Sequence, residues 1–421
     1  MQSISKLSDN QAQSPPPSCA ADGTVDGRSL SSGDRPKAAR ALEGLRVALF
    51  SGNYNYVQDG ANQALNRLVR HLEDESGANV RVYSPVTSTP AFEPQGTLIP
   101  VPSVPFPGRR EYRIALGLPS QVRNDVERFQ PHILHLSAPD WLGTGAQRLG
   151  KRLGIPVISS LHTRFETYFA YYGLGWIRRA VERRQARFYS ESDFALVPTA
   201  SMAAEMACSL GSDKVRLWGR GVDAALFHPQ RRSMAWRAAH GIDNNEIALV
   251  FFGRLVLEKG VGIYADVVSR LQGQGFRVRP LIIGAGPAEE RLRKALSNSI
   301  FTGHLRGQEL ATAVASGDIL INPSVTEAFG NVVLEAMACG LAVVAADVPS
   351  AANLVTHERT GLLCATVTAD DFASAAQRLI KSRRLRQKIS AAARAAAMGH
   401  DWPTALDSVV DVYREALARK H

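Results

Sequence analysis

Glu327 and Glu335 flank Gly330 and a short apolar run in "PSVTEAFGNVVLEAMACG", residues 323 to 340. Where a loop turns into a helix, the first N–H groups have no intrahelical partner, and the helix dipole adds to their preference for an anion. Gly330 stands where such a helix can begin, so Asn331, Val332 and Val333 would offer these groups. An acid on the loop before the site and a second acid about a turn into the helix can each accept hydroxyl hydrogen bonds, as an acid does from ribose in dinucleotide sites. Without context the same two residues read equally as a capping acid and a surface acid.

Upstream, "FFGRLVLEKG" places Gly253, Arg254 and Lys259 just beyond an apolar run. Glycine allows close backbone approach, and two cations past a strand end suit a diphosphate, whose oxygens take charge-assisted hydrogen bonds. A solvated loop with two surface charges has the same letters. "IIGAGPAEERL" adds a further strand, Gly-rich turn and helix, which alone is ordinary turn chemistry. Taken together, the three stretches describe a site for a nucleoside diphosphate with polyhydroxylated groups at both ends, that is, a nucleotide sugar.

The elements that must position these residues follow from the periodicity. Residues 1–43 are rich in Ser, Pro, Gly, Gln and Asp with almost no clustered apolar residues, and are expected to be a disordered tail. From Leu45 short apolar runs alternate with helical patterns: "LRVALF", "GANQALNRLVRHLE", "VRVYSP", a long Pro-rich loop, "HILHLSAP", "PVISSLHT" and "FALVPTA". The alternation restarts after "KVRLWGRGVDAALFHP" with "EIALVFFGR", "GIYADVVSRLQ", "RVRPLIIGAG", "AEERLRKAL", "ILINPS" and "LAVVAAD". Such a pattern predicts α/β architecture: two Rossmann-like doubly wound domains, expected at 44–215 and 216–400, facing across a cleft that would hold the ligand.

Composition narrows the class. A chain of 421 residues with 45% hydrophobic and 21% charged residues is long enough for two ordinary globular domains. Cys19, Cys208, Cys339 and Cys364 lie far apart with no CxxC pair, so neither a disulfide framework nor a zinc site is expected. No apolar run approaches the roughly 18 residues of a membrane span, and the polar N-terminus lacks the apolar core of a signal peptide. The net charge of +10 suggests an anionic partner: nucleic acid, an acidic membrane surface or a phosphorylated substrate. It can equally serve solubility alone. Standard nucleic-acid-binding motifs are absent, so no nucleic-acid partner is expected.

Two stretches of the first half concentrate the charge. "VPFPGRREYRIALGLPS" carries Arg109, Arg110 and Arg113, and "TYFAYYGLGWIRRAVERRQARFYS" carries Arg178, Arg179, Arg183, Arg184 and Arg187 beside Tyr168, Phe169, Tyr171, Tyr172 and Trp176. A basic helix with neighbouring aromatics can lie on an anionic bilayer; a solvated arginine face over core aromatics is the plain alternative.

In order and approximate spacing, "GRLVLEKG", "GAGP", "FTGHL", "PSVTEAFGNVVLEAMACGLAVVAAD" and "TGLL", joined by "GANQALNRLVRHLE", "HTRFETYFAYYG" and "RGVDAALFHP", resemble the family 4 retaining glycosyltransferases of GT-B fold over residues 45 to 415. The resemblance implies that Arg254 and Lys259 neutralise the donor diphosphate and that Glu327 contacts the donor sugar. It implies that Phe329, Gly330, Asn331 and Val332 line sugar and phosphates with main-chain N–H groups, and that Glu335 holds the ribose. It places His304 and Leu305 beside the base, His162 at the donor sugar and Gly60 near the phosphates. Asp223 would order the hinge segment, and residues 401–421, with Trp402 and Tyr413, would form a helix crossing back to the first domain. Leu341, Ser350, Ala351, Ala352 and Ala285 depart from the family pattern, and those at 350–352 leave the donor sugar open.

The expected reaction is retaining transfer of a hexosyl group from UDP-hexose or GDP-mannose to an acceptor, a membrane lipid such as diacylglycerol or a related glycolipid, by an enzyme of the cytoplasm or the inner face of the plasma membrane. No Asp-x-Asp element occurs, so no metal or other cofactor is expected. The alternatives are a polysaccharide or soluble sugar acceptor and a GT-B-type nucleotide-sugar epimerase.

Overall fold

The computed structural model of the chain describes residues 42–57, 59–106, 109–162 and 178–420. Most of the expected tail therefore lies outside the described residues, as do the aromatics at 168 to 176. Leu42 is a correction: inside the stretch set aside as tail, it is 5% exposed, and its N–H bonds the Ser76 carbonyl at 2.9 Å. A single buried leucine leaves no periodic signal in a polar stretch.

The first half begins with β1 (Arg46–Phe50), β2 (Asn79–Ser84) and β3 (Thr97–Pro100). An antiparallel ribbon of β4 (Ser103–Phe106) and β5 (Arg109–Ala115) follows. Then come β6 (Ile133–Leu136), β7 (Val157–Ser160), β8 (Phe194–Val197) and β9 (Val215–Leu217). Seven of these strands form one parallel sheet in the order β3-β2-β1-β6-β7-β8-β9. Its central strands are short and buried along their whole length, as a sheet covered by helices on both faces requires. Two details differ from expectation. The Pro-rich loop contains β3 and the ribbon, whose strands lack strict alternation. β9 pairs with β8, so the first sheet runs past residue 215; a three-residue strand is too short to show in the pattern.

The second half holds β10 (Ile247–Phe252), β11 (Val278–Ile283), β12 (Ile300–Phe301), β13 (Ile319–Asn322), β14 (Ala342–Ala346) and β15 (Leu362–Cys364) in a parallel sheet ordered β12-β11-β10-β13-β14-β15. Strand order reverses between β1 and β6 and again between β10 and β13. These are the points of a doubly wound sheet where loops diverge and a crevice opens beyond the carboxyl ends.

Two helices matter most for the site. Helix Gly60–Asp74 buries Ala64, Leu65, Leu68, Val69 and Leu72 at helical spacing, and the Asp59 carboxylate caps it by accepting from Asn62 N at 2.8 Å. Helix Trp402–Ala418, although last in the chain, buries Leu406, Val409, Val410 and Tyr413 in the core of the first half, with Val47, Leu49 and Trp218. Its docking includes one buried polar contact, Tyr413 OH to His135 Nδ1 at 2.6 Å, while the other ring nitrogen of His135 meets the Ser160 hydroxyl. Burial holds that imidazole neutral, with its pKa pushed down to about 3.

Candidate functional site

The loop after β10 carries Arg254 and Lys259, and the loop after β13 carries Glu327, Phe329 and Gly330, so adjacent strands at the second sheet's switch point deliver both. The Arg254 loop is pinned from below: Gly253 N donates to Ile283 O at 2.9 Å and Leu255 N to Ala285 O at 3.0 Å. The "GAGP" turn thus serves as the floor of the cationic loop. Lys259 Nζ lies 2.5 Å from Glu327 Oε1, and both side chains are about one-fifth exposed, at 21% and 20%.

Helix Asn331–Ala338 starts after Gly330, whose φ of 97° lies in the left-handed region that disfavours a side chain. No side chain caps this helix, and its first backbone bond is Val333 N to Gly330 O at 3.0 Å. The groups ahead of that bond are the ones a ligand anion would meet. The Phe329 side chain is only 5% exposed and packs in the second core, so it can offer the site nothing but its main chain. Val332 is half-buried at the rim of the same core.

The first half meets this helix end directly. A Cβ on Gly60 would overlap the side-chain amide of Asn331, so the starts of helices Gly60–Asp74 and Asn331–Ala338 touch, and a larger residue at 60 would require that amide to move. Among the described residues, Oδ1 of Asn331 and the hydroxyl of Ser324 are buried without a hydrogen-bond partner. Buried polar groups are rarely left so, and a ligand hydroxyl donating to Asn331 Oδ1 would satisfy that oxygen. Asp59, at the same helix start, is raised by burial above the usual carboxylate range, against opposing pulls that include the charges of Arg254 and Lys259. From the ribbon, Tyr112 OH accepts from Arg254 Nη1 at 2.9 Å, with the guanidinium 5.8 Å from the Tyr112 ring centre.

Glu335 is half-buried, and lost hydration pushes its pKa up to about 8 against the pull of Arg67, on the facing helix of the first half. Arg67 in turn lies in the field of Asp223 and Glu335 and packs 4.9 Å over the Trp402 ring. Asp223 itself organises its own turn, accepting from Leu226 N at 3.0 Å through Oδ1. His304 is exposed and accepts at Nε2 from Arg306 Nε at 3.3 Å, while Leu305 packs against the second core.

His162, after β7, bonds neither cation nor Glu327 among the described residues; its Nδ1 lies 2.8 Å from Arg220 Nη2. The structure therefore joins Lys259 to Glu327 and Gly60 to Asn331, brings Arg67 into the field of Glu335, and joins His162 to Arg220 instead. Arg67, Tyr112 and Arg220 were not singled out from sequence. Arg220 alone had a signal, as the first residue of "RGVD".

Of the basic stretch, Arg179, Arg183, Arg184 and Arg187 are exposed; the Arg178 side chain lies outside the described residues, as do those of Arg109 and Arg110. Arg184 Nη2 reaches Thr144 Oγ1 at 3.5 Å, one turn from Trp141, which is 51% exposed. Arg113 instead turns back onto Ser103 of its own ribbon at 2.7 and 2.8 Å. Among the described residues no helix is long and apolar enough to cross a membrane.

Two parallel doubly wound sheets whose loops meet at a cationic crevice are the architecture of GT-B glycosyltransferases. The sucrose-phosphate synthase of Thermosynechococcus elongatus superposes with a TM-score of 0.73 at 18% identity, over 89% of this chain and 100% of that one. The model "Glycosyltransferase Family 4" matches residues 58–226, and "Glycosyl transferases group 1" matches 246–382. The chain is 32% identical to a GDP-mannose-dependent alpha-mannosyltransferase of Mycolicibacterium smegmatis, over 89% of this chain and 99% of that protein. It is 31% identical to a sulfoquinovosyl transferase of Arabidopsis thaliana, over 86% of this chain and 72% of that one. The chain belongs to glycosyltransferase family 4.

Proposed function

We propose that this enzyme transfers a hexosyl group, with retention, from UDP-hexose or GDP-mannose to a lipid acceptor such as diacylglycerol. The observation that carries the donor side is the Lys259–Glu327 pair beside the uncapped Asn331 helix start and Arg254. Arg254, Lys259 and that helix end hold the diphosphate and stabilise the charge that develops as it departs, a form of electrostatic preorganisation. Glu327 accepts from sugar hydroxyls, Glu335 from the ribose hydroxyls, and His162 donates to the sugar from the first half. His304 and Leu305 border the base. A carboxylate engaged by Lys259 and sugar hydroxyls is poorly placed to become a covalent nucleophile, so attack on the same face through an ion-pair-like transition state fits better. The relatives support a nucleotide-sugar donor, and one of them is a GDP-mannose-dependent alpha-mannosyltransferase.

The lipid acceptor is supported by the exposed Arg179, Arg183, Arg184 and Arg187 with Trp141 beside them, a basic and aromatic surface suited to an anionic bilayer. The enzyme then works as a peripheral protein on the cytoplasmic leaflet. The deciding experiment incubates the full chain with UDP-glucose, UDP-galactose, UDP-glucuronate or GDP-mannose, with and without anionic vesicles containing diacylglycerol. Vesicle-dependent nucleotide release with a glycolipid product supports the reading. Release only with a soluble sugar acceptor removes the lipid, and epimerised donor without transfer replaces the reaction.

A further inference from the structure

Arg220 is 5% exposed, and among the described residues no carboxylate pairs with it. Its Nη1 donates to the carbonyls of Trp218 and Gly219, both at 2.9 Å, and its Nη2 stands 2.8 Å from His162 Nδ1. The buried Trp218 indole lies under both partners, 4.7 Å from the guanidinium carbon and 5.1 Å from the imidazole centre at an interplanar angle of 76°. Both side chains are therefore held in place. On the far side of the ring, His162 Nε2 is buried, and among the described residues it has no hydrogen-bond partner.

A guanidinium has donors and no acceptor, so His162 Nδ1 must be the acceptor of this bond. In the neutral ring the proton then sits on Nε2, the nitrogen left without a partner. A second proton would have to enter at Nδ1, where a donor and a cation already face it. Burial, Arg220 and His135, in that order, hold His162 well below the usual histidine range. A histidine kept only for packing would have an internal partner for a buried Nε2–H.

We propose that Arg220 is a positioning residue: it locks His162 in the Nε2–H tautomer, so that the imidazole presents a neutral, oriented donor to an oxygen of the bound nucleotide sugar. This inference rests on the reading of His162 as a donor-facing residue. It specifies the chemistry of the contact. The ligand atom must be an acceptor, a hydroxyl, carboxylate or phosphate oxygen, and His162 neither takes a proton from the substrate nor acts as a cation.

The test uses nitrogen NMR of the full chain labelled with 15N-histidine, with His162→Ala for assignment, together with the kinetics of Arg220→Met and Arg220→Lys. The wild-type protein should show His162 as the Nε2–H tautomer, without titration, from about pH 5.5 to 8.5. R220M should admit the Nδ1–H tautomer and lower kcat by about a hundredfold, with UDP and GDP affinities unchanged, as expected for a misplaced contact to the reacting sugar. R220K, which keeps a donor and a cation, should restore the tautomer and much of the rate. If R220M does not fold, the wild-type tautomer and R220K decide. An Nδ1–H tautomer or a titration near the ordinary histidine pKa in the wild-type protein overturns the inference, as does an R220M protein with normal tautomer and rate. An H162A enzyme that turns over normally removes instead the underlying reading of His162. An inactive H162A alongside the wrong wild-type tautomer removes only the role of Arg220.

Discussion

Lys259 Nζ and Glu327 Oε1 meet at 2.5 Å across two loops that leave adjacent strands of the second sheet. The proposed diphosphate cation and the proposed sugar-binding acid are therefore one electrostatic unit. In that reading the lysine orients the acid, and the acid would keep the ammonium in the crevice until a phosphate shares it.

Because the pair acts together, its members should not contribute independently. Lys259→Ala is expected to lower kcat by about 10²- to 10³-fold, the scale of losing one preorganised donor to developing charge. Glu327→Ala should cost a similar factor, and the double variant little more than either single one. Steady-state kinetics of the three proteins check this, and fully multiplicative losses would separate the two roles.

Gly60 touches the side-chain amide of Asn331, so even a methyl group at position 60 should displace that amide from the helix start. Gly60→Ala is expected to weaken nucleotide binding, measured by calorimetry, while Asn331→Ala in the same chain restores part of the loss by making room. A G60A protein with unchanged affinity would show that the two halves close differently around the ligand.

Glu335 carries the clearest pH signature. Its pKa in the folded protein, about 8, lies above that of an unfolded glutamate. Its stabilising contribution is therefore full below about pH 4 and drains away as pH rises through 8. Glu335→Gln should gain in Tm over wild type progressively across that range and level off above it. Ribose hydroxyls favour the ionised acid, so UDP or GDP affinity should rise with pH by up to about tenfold per unit until the same point, and lose that dependence in E335Q.

In the proposed site, Arg254, Lys259 and the uncapped start of helix Asn331–Ala338 would supply positive charge where the leaving group forms. Transfer is accordingly expected to proceed in excess EDTA at the untreated rate, while Arg254→Ala loses about 10²- to 10³-fold of kcat. Loss of turnover on chelation, restored by one divalent ion, would contradict that assignment of the charge.

Tyr413 ties the last helix to the first half through His135. Tyr413→Phe removes the hydroxyl and leaves His135 Nδ1 buried without a partner, which should cost about 1–3 kcal/mol. Chemical denaturation at neutral pH measures this directly, and an unchanged midpoint would show that the helix docks without help from this hydroxyl.

Much of this molecule was legible in its order of residues. Short apolar runs alternating with helical patterns marked the strands at 46–50, 133–136, 247–252, 278–283, 319–322 and 342–346, because a strand buried on both faces needs an unbroken apolar run. Arg254, Lys259 and Glu327 stood out because charges near glycine just past strand ends are local patterns, and Glu335 because it follows Glu327 across a loop-to-helix turn. The ribbon of β4 and β5, the short β9 and the buried Leu42 left signals too brief to rise above loop composition.

The amino-acid sequence thus determined by itself the two α/β halves, the family and the kinds of charge available to a nucleotide sugar. Only the tertiary structure decided which of those charges meet: Lys259 with Glu327, Arg67 near Glu335, Tyr112 on Arg254, Arg220 behind His162, and Tyr413 against His135. Elements form from periodicity within a few residues of the chain. These contacts instead join residues tens to hundreds of positions apart, and they exist only because two sheets and a returning helix pack in one arrangement.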